Sequence, residues 1–177
     1  VSYPIFHINN IATPSIGPTP KNIFFLTADA FGVLPPISKL TKEQAMYHFI
    51  SGYTCKIAGT EEGILEPEAT FSACFGSPFM PLHPTIYAQM LGGKIEGKNV
   101  DVWLINTGWS GGPYGTGKRI ELKYTRAMIT AVMNNELVDS GYEEHKIFKL
   151  KMLQTCPNVP DKILNPINTW ENKLNYT

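Results

Sequence analysis

Between residues 109 and 120 the chain reads WSGGPYGTGKRI. From Gly112 the spacing is Gly-x4-Gly-Lys, nearly that of a loop whose backbone amides cradle phosphates and whose next residue, Ser or Thr, holds magnesium. Here Arg119 stands in that last place. A guanidinium stacks on a flat ring or pairs with a phosphate, so Arg119 carries the more useful chemistry of the two cations. An apolar run at 100–105 precedes the glycines and a helical pattern follows from Thr125, the order that suits an anion at a helix N-terminus. In a phosphate loop, however, the Lys opens the helix, whereas residues 119–123 read as extended chain. From the residues alone three readings stay open: a phosphate loop, a glycine loop that touches a nucleotide in another way, and a plain turn.

Other polar residues also have two readings each. Asp29, after the apolar run IFFL at 23–26, stands where open α/β sheets bind ligands, or else it fixes its own loop by accepting backbone amides. Glu61, Glu62, Glu66 and Glu68 are a metal-binding set or, as expected here, the side chains of a solvated loop. Lys56 is a snorkelling lysine or an anion contact. His48, beside the apolar side of its segment, reads as a packed histidine, and Tyr3, Tyr53 and Trp109 as core or loop packing. Cys55, Cys74 and Cys156 are too few and too scattered for a zinc cluster and read as buried free thiols.

The elements that must position these groups follow from periodicity and turn chemistry. Residues 1–8 alternate like an edge strand, and 23–26 like a strand covered on both faces. Thr41 with Gln44 forms a capping box for a helix that Gly52 ends, with Tyr47, Phe49 and Ile50 facing inward. Residues 54–70 read as a long loop, and 85–91 as a short helix closed by Gly92 and Gly93. A strand at 100–105 and a helix at 125–134 follow, the latter with Met128, Ile129, Val132 and Met133 on one face. Residues 146–153 read as a half-exposed strand, and a short helix lies near Trp170. The fold class expected is α/β with mixed α+β character.

The chain has 177 residues, 43% of them hydrophobic, and a formal net charge of zero. That size suits one domain or part of a larger one. Neutrality offers no attraction to nucleic acid or an anionic membrane, and no apolar run is long enough to span a bilayer. The expectation is a soluble protein, and the opening at Val1, without an initiator Met, suggests a chain cut from something longer.

Four stretches carry a resemblance. FFLTADAFGVLPPISKLTKEQAMYHFISGYTCKIAGTEEG, ATFSACFGSPFMPLHPTIYAQML, VWLINTGWSGGPYGTGKRIELKYTRAMI and KILNPINTW, in that order, resemble successive segments of the ATP-dependent phosphoenolpyruvate carboxykinase family. The resemblance runs from about Val1 to Trp170. It implies a cytoplasmic gluconeogenic enzyme, a carboxy-lyase, that converts oxaloacetate and ATP into phosphoenolpyruvate, ADP and carbon dioxide with Mg2+ and Mn2+. It also implies a two-domain fold, of which residues 1–177 look like a single partial domain, the later part of the C-terminal, mononucleotide-binding one. By that resemblance Arg119 and Ile120 flank the adenine of ATP, Thr125 is a further nucleotide contact, and a stretch at about 58–67 is a mobile lid. The family's own phosphate loop, its metal-binding Lys, His and Asp and its oxaloacetate-binding Arg and Tyr are expected upstream. No catalytic residue and no metal ligand is therefore assigned here, the missing N-terminal part becomes a necessary partner, and the 177 residues alone are expected to be inactive. Lys118 is left without a role. The alternatives are an independent phosphate-loop NTPase centred on Lys118 and a non-catalytic binding module.

Overall fold

A computed structural model describes residues 2–57, 59 and 62–176. Its centre is a five-stranded mixed sheet built from β1 (Asn22–Thr27), β2 (Ile37–Leu40), β5 (Asp101–Asn106), β8 (Tyr142–Glu144) and β9 (Lys151–Leu153), in the order β1-β5-β2-β9-β8. β1 and β5 run parallel with Asn22 opposite Asp101 and Thr27 opposite Asn106, and every other neighbouring pair is antiparallel. The fold class is thus mixed α/β, as expected.

β5 explains the layering. Val102 to Asn106 are all buried, so both faces of this strand are covered and its side chains divide by alternation. Val102 and Leu104 join Phe25, Leu34, Leu40 and Ala45 under the helices α1 (Lys42–Ser51) and α2 (Pro84–Ile95). Trp103 and Ile105 join Ile37, Met128, Val132 and Leu153 under α3 (Leu122–Met133) and the C-terminal segment. β1 has only β5 beside it and leaves Leu26 56% exposed, so the strand expected to be covered on both faces is an edge strand instead.

Local chemistry sets several boundaries. Thr41 accepts from the Gln44 N–H while the Gln44 side chain accepts from the Thr41 N–H, and Gly52 ends α1 in a left-handed conformation, as the sequence foretells. Tyr47, expected inward, is 68% exposed; Ala45 is the fully buried residue of that helix. α2 does not stop at Gly92. A Cβ there would stand 2.7 Å from Met46 Sδ, so this glycine serves the close crossing of α1 rather than a helix end.

The remaining corrections come from pairing and packing that short-range patterns do not encode. Residues 54–70 are not one loop: β3 (Tyr53–Lys56) and β4 (Glu68–Phe71) pair as an antiparallel hairpin. Residues 5–7 form a 3-10 turn where a strand was expected, and Tyr3 is exposed rather than packed. Residues 118–119 are a strand, β7 (Lys118–Arg119), paired with β6 (Trp109–Ser110), and α3 begins at Leu122 rather than Thr125. Met133, at the end of α3, is exposed. Only residues 151–153 of the expected strand at 146–153 are extended. Towards the C-terminus α4 (Asp161–Leu164) and a 3-10 turn at Pro166–Thr169 precede Trp170. The three cysteines are buried and free, and His48 is half-buried, with burial pushing its pKa down.

One buried polar atom stands out. Ser38 Oγ, on β2 and itself fully buried, is the one buried side-chain N or O without a hydrogen-bond partner among the described residues. An unmet buried hydroxyl costs about 1–3 kcal/mol. Ser38→Ala is therefore expected to leave the thermal midpoint unchanged or raise it; a clear fall would show that the hydroxyl has a partner.

Candidate functional site

The parallel pair β1 and β5 ends at Thr27 and Asn106, and the two loops that leave these ends form the site. Asp29 is completely buried. Its Oδ1 accepts from the Phe31 N–H (3.0 Å) and the Tyr53 hydroxyl (2.9 Å), and its Oδ2 from the N–H groups of Val33 (2.6 Å) and Leu34 (2.8 Å). Burial first, and then the Asp29 charge, push the Tyr53 hydroxyl far above its ordinary pKa, so it stays a donor. Asn106 completes the arrangement: its Oδ1 accepts from the N–H groups of Asp29 and Gly108, and its Nδ2 donates to the Leu34 carbonyl. Of the two readings open for Asp29, the geometry is that of the loop-fixing one.

The second loop is the glycine stretch. It is a hairpin: Trp109 pairs with Arg119 and Ser110 with Lys118, across a turn closed by the N–H groups of Thr116 and Gly117 on the Pro113 carbonyl. Lys118 therefore lies in a strand, four residues before Leu122, where α3 begins. The amides of a phosphate loop must converge at a helix N-terminus beside its Lys, and this hairpin does not place them so.

Arg119 is anchored from two sides. Its Nε donates to the Thr107 carbonyl at 3.0 Å, and its guanidinium carbon lies 5.7 Å from the centre of the buried Trp109 ring. The Ile120 N–H donates to the Gly108 carbonyl at 2.8 Å, and the residue is half-buried. Both residues line an open cleft of about 410 Å3, with Ser110, Tyr124, Lys162 and Thr169 among its other walls. Thr125 is placed differently. It sits in the first turn of α3, 6% exposed, while the cap residue Glu121 and Tyr124 of the same turn line the cleft. A second cavity, of about 80 Å3, opens at the opposite end of the sheet beside Lys39, Asp101 and Trp103.

The sequence did not reveal that residues 162–171 form a wall of this cleft. They lie some fifty residues beyond the hairpin, and no local spacing marks the contact. The β3–β4 hairpin is seated nearby, with Cys55 buried against Ala28, Ala30 and Trp109. Of the expected lid at about 58–67, residues 58, 60 and 61 lie outside the described residues. Glu62, Glu66 and Glu68 are exposed, and no group of three or more His, Cys, Asp or Glu able to hold a metal ion occurs among the described residues.

A hydrogen-bond chain closes the far side of the Asp29 loop. His145 Nδ1 accepts from the N–H groups of Ile147 and Phe148, which leaves Nε2 to donate to the Tyr176 hydroxyl (2.5 Å). That hydroxyl donates to the Val33 carbonyl (3.0 Å), and its pKa is pushed up to about 12 by burial first and by Asp29 second.

The sequence profile of the phosphoenolpyruvate carboxykinase family matches residues 1–162. The proteins called phosphoenolpyruvate carboxykinase (ATP) of Flavobacterium johnsoniae, Christiangramia forsetii and Bacillus subtilis are 68%, 64% and 61% identical to it, each over 99% of this chain. In each case the aligned part is 33% of the relative, so the chain spans about a third of the length of the curated relatives it matches.

Two outcomes are expected from this geometry. Asp29→Asn places an amide among four donors and should cost roughly 2–4 kcal/mol in urea unfolding; a loss under about 0.5 kcal/mol would mean the loop is held by other groups. Burial lowers the pKa of His145, so the folded state disfavours its protonation and the unfolded state binds the proton more readily. Its contribution is whole above the ordinary imidazole value of about 6.5 and is lost as pH falls below it. Thermal midpoints should drop between about pH 7.5 and 5, less steeply in His145→Asn. An unchanged slope would overturn this assignment.

This chain belongs to the phosphoenolpyruvate carboxykinase family.

Proposed function

We propose that this chain is the nucleotide-contacting part of an enzyme that converts oxaloacetate and ATP into phosphoenolpyruvate, ADP and carbon dioxide. The name shared by its relatives supports that reaction. The observation that carries the local role is the cleft of about 410 Å3 at the carboxyl ends of the parallel pair, where ligands of open α/β sheets bind, with Arg119 and Ile120 on its rim. A cleft of that size is in the range that takes a nucleoside.

In this proposal Arg119 lays its guanidinium against the adenine ring, held at its stem by Thr107 and Trp109. Ile120 supplies apolar surface and an accepting carbonyl. Thr125 belongs to the same nucleotide site by resemblance, and its burial under the first turn of α3 gives it a supporting place there. The loop at about 58–67, on the hairpin seated against Trp109, is proposed as the lid that excludes water on closing. The chain is the later part of a C-terminal, mononucleotide-binding domain, and the enzyme is cytoplasmic. Mg2+ and Mn2+, when bound, would stabilise charge on the transferring phosphoryl group. In this proposal the ligands of both ions lie outside this chain, as the family resemblance implies, and no step here runs through a metal.

In the full-length enzyme Arg119→Ala should raise the KM for ATP about tenfold, the loss of roughly 1–2 kcal/mol of stacking and charge. Thr125→Ala should have a smaller effect, and Lys118→Ala should stay within about threefold. Loss of nucleotide binding from Lys118→Ala, with Arg119→Ala unaffected, would restore the phosphate-loop reading. The 177 residues alone should form no phosphoenolpyruvate from oxaloacetate and ATP, and detectable product would show that the essential groups lie within them.

A further inference from the structure

The cleft has two walls that no regular element joins. One is the hairpin that carries Arg119; the other is the C-terminal segment with Lys162, Ile163 and Glu171. They meet through a short chain of hydroxyls. Thr169 Oγ1 donates its proton to the Pro166 carbonyl at 2.6 Å, so its oxygen is left to accept, and Ser110 Oγ donates to it at 3.0 Å. Beside this contact the backbones nearly touch: a Cβ on Gly111 would come within 2.8 Å of the Thr169 carbonyl oxygen, and the glycine's φ of +78° suits no other residue well. The next residue fastens the segment on its other side, Trp170 Nε1 donating to the Gly32 carbonyl of the Asp29 loop at 3.0 Å.

Position within the hairpin makes this contact consequential. Ser110 pairs with Lys118 in the register that pairs Trp109 with Arg119. A shift of Ser110 is therefore a shift of Arg119 and of the Trp109 ring against which its guanidinium lies. β6 and β7 are two residues each, too short to hold their own geometry alone, so contacts from outside them place the hairpin: the Trp109 N–H on the Asp29 carbonyl at one end of β6 and Ser110 on Thr169 at the other.

We propose that the Ser110–Thr169 hydroxyl pair is a positioning device of the nucleotide site, tying the Arg119 hairpin to the C-terminal wall at the spacing that the base requires. Neither hydroxyl is a catalytic group; both act through the placement of Arg119. The pair's role depends on the cleft holding a nucleotide, as proposed above.

The test is steady-state kinetics of the full-length enzyme, with ATP and oxaloacetate varied separately. Thr169→Val and Ser110→Ala should each raise the KM for ATP about three- to tenfold, what one hydrogen bond in a bound geometry is worth, while kcat and the KM for oxaloacetate stay within about twofold. Thr169→Ser, which keeps the hydroxyl, should restore the KM for ATP. The double variant should be no worse than either single one, because both remove the same bond. If Thr169→Val does not fold, Ser110→Ala cuts the bond from the hairpin side and carries the test alone. An unchanged KM for ATP, an equal fall in kcat, or failure of Thr169→Ser to restore binding overturns the proposal. Arg119→Ala, run alongside, separates the two levels. If it raises the KM for ATP while the hydroxyl variants do not, the positioning role alone falls; if it too has no effect, the nucleotide reading of the cleft falls with it.

Discussion

A single buried carboxylate organises this end of the molecule. Asp29 has no contact with solvent, yet it accepts three backbone amides and a tyrosine hydroxyl. A carboxylate out of water is costly unless its lone pairs are met, and four donors meet them here. The result is a loop from 29 to 34 whose amides point inward, so that its Gly32 and Val33 carbonyls are presented to Trp170 and Tyr176. Asn106 performs the complementary task at the end of β5, accepting from Asp29 and Gly108 while donating to Leu34. Two strand ends, two loops and the C-terminal segment are joined through these side chains.

The cleft inherits its shape from that arrangement. Arg119 is not held by the glycine turn that precedes it but by Thr107, Trp109 and the register of a very short hairpin. Trp109 in turn packs with Ala28, Ala30 and Cys55, which ties the Asp29 loop and the β3–β4 hairpin to the same point. The site is therefore assembled from stretches near residues 29, 110 and 169, each weak in local structure and each fixed by the other two.

How much of this was legible depends on whether a feature is set by neighbours in sequence. The Thr41–Gln44 capping box and the Gly52 end of α1 were readable because each is a short-range hydrogen-bond or conformational requirement. β5 was readable because a strand buried on both faces must be apolar throughout, and VWLI is. By the same rule β1 was misjudged: IFFL is as apolar, but it lies at the sheet's edge in this chain, and only the strand order reveals that. Gly92 looked like a helix end because its contact with Met46 on another helix is invisible locally.

The sequence by itself determined the mixed α/β class, the family, and Arg119 rather than Lys118 as the residue with stacking chemistry, because composition, long ordered motifs and side-chain type need no coordinates. Tertiary structure alone decided that Asp29 fixes a loop, that the glycine stretch is a hairpin and not a phosphate cradle, and that Thr169 faces Ser110 across the cleft. Each of those is a contact between residues far apart in sequence or a backbone direction at a turn. The physical reason is the same in every case: short-range preferences act through neighbours along the chain, whereas burial and long-range hydrogen bonds exist only once the chain has closed on itself.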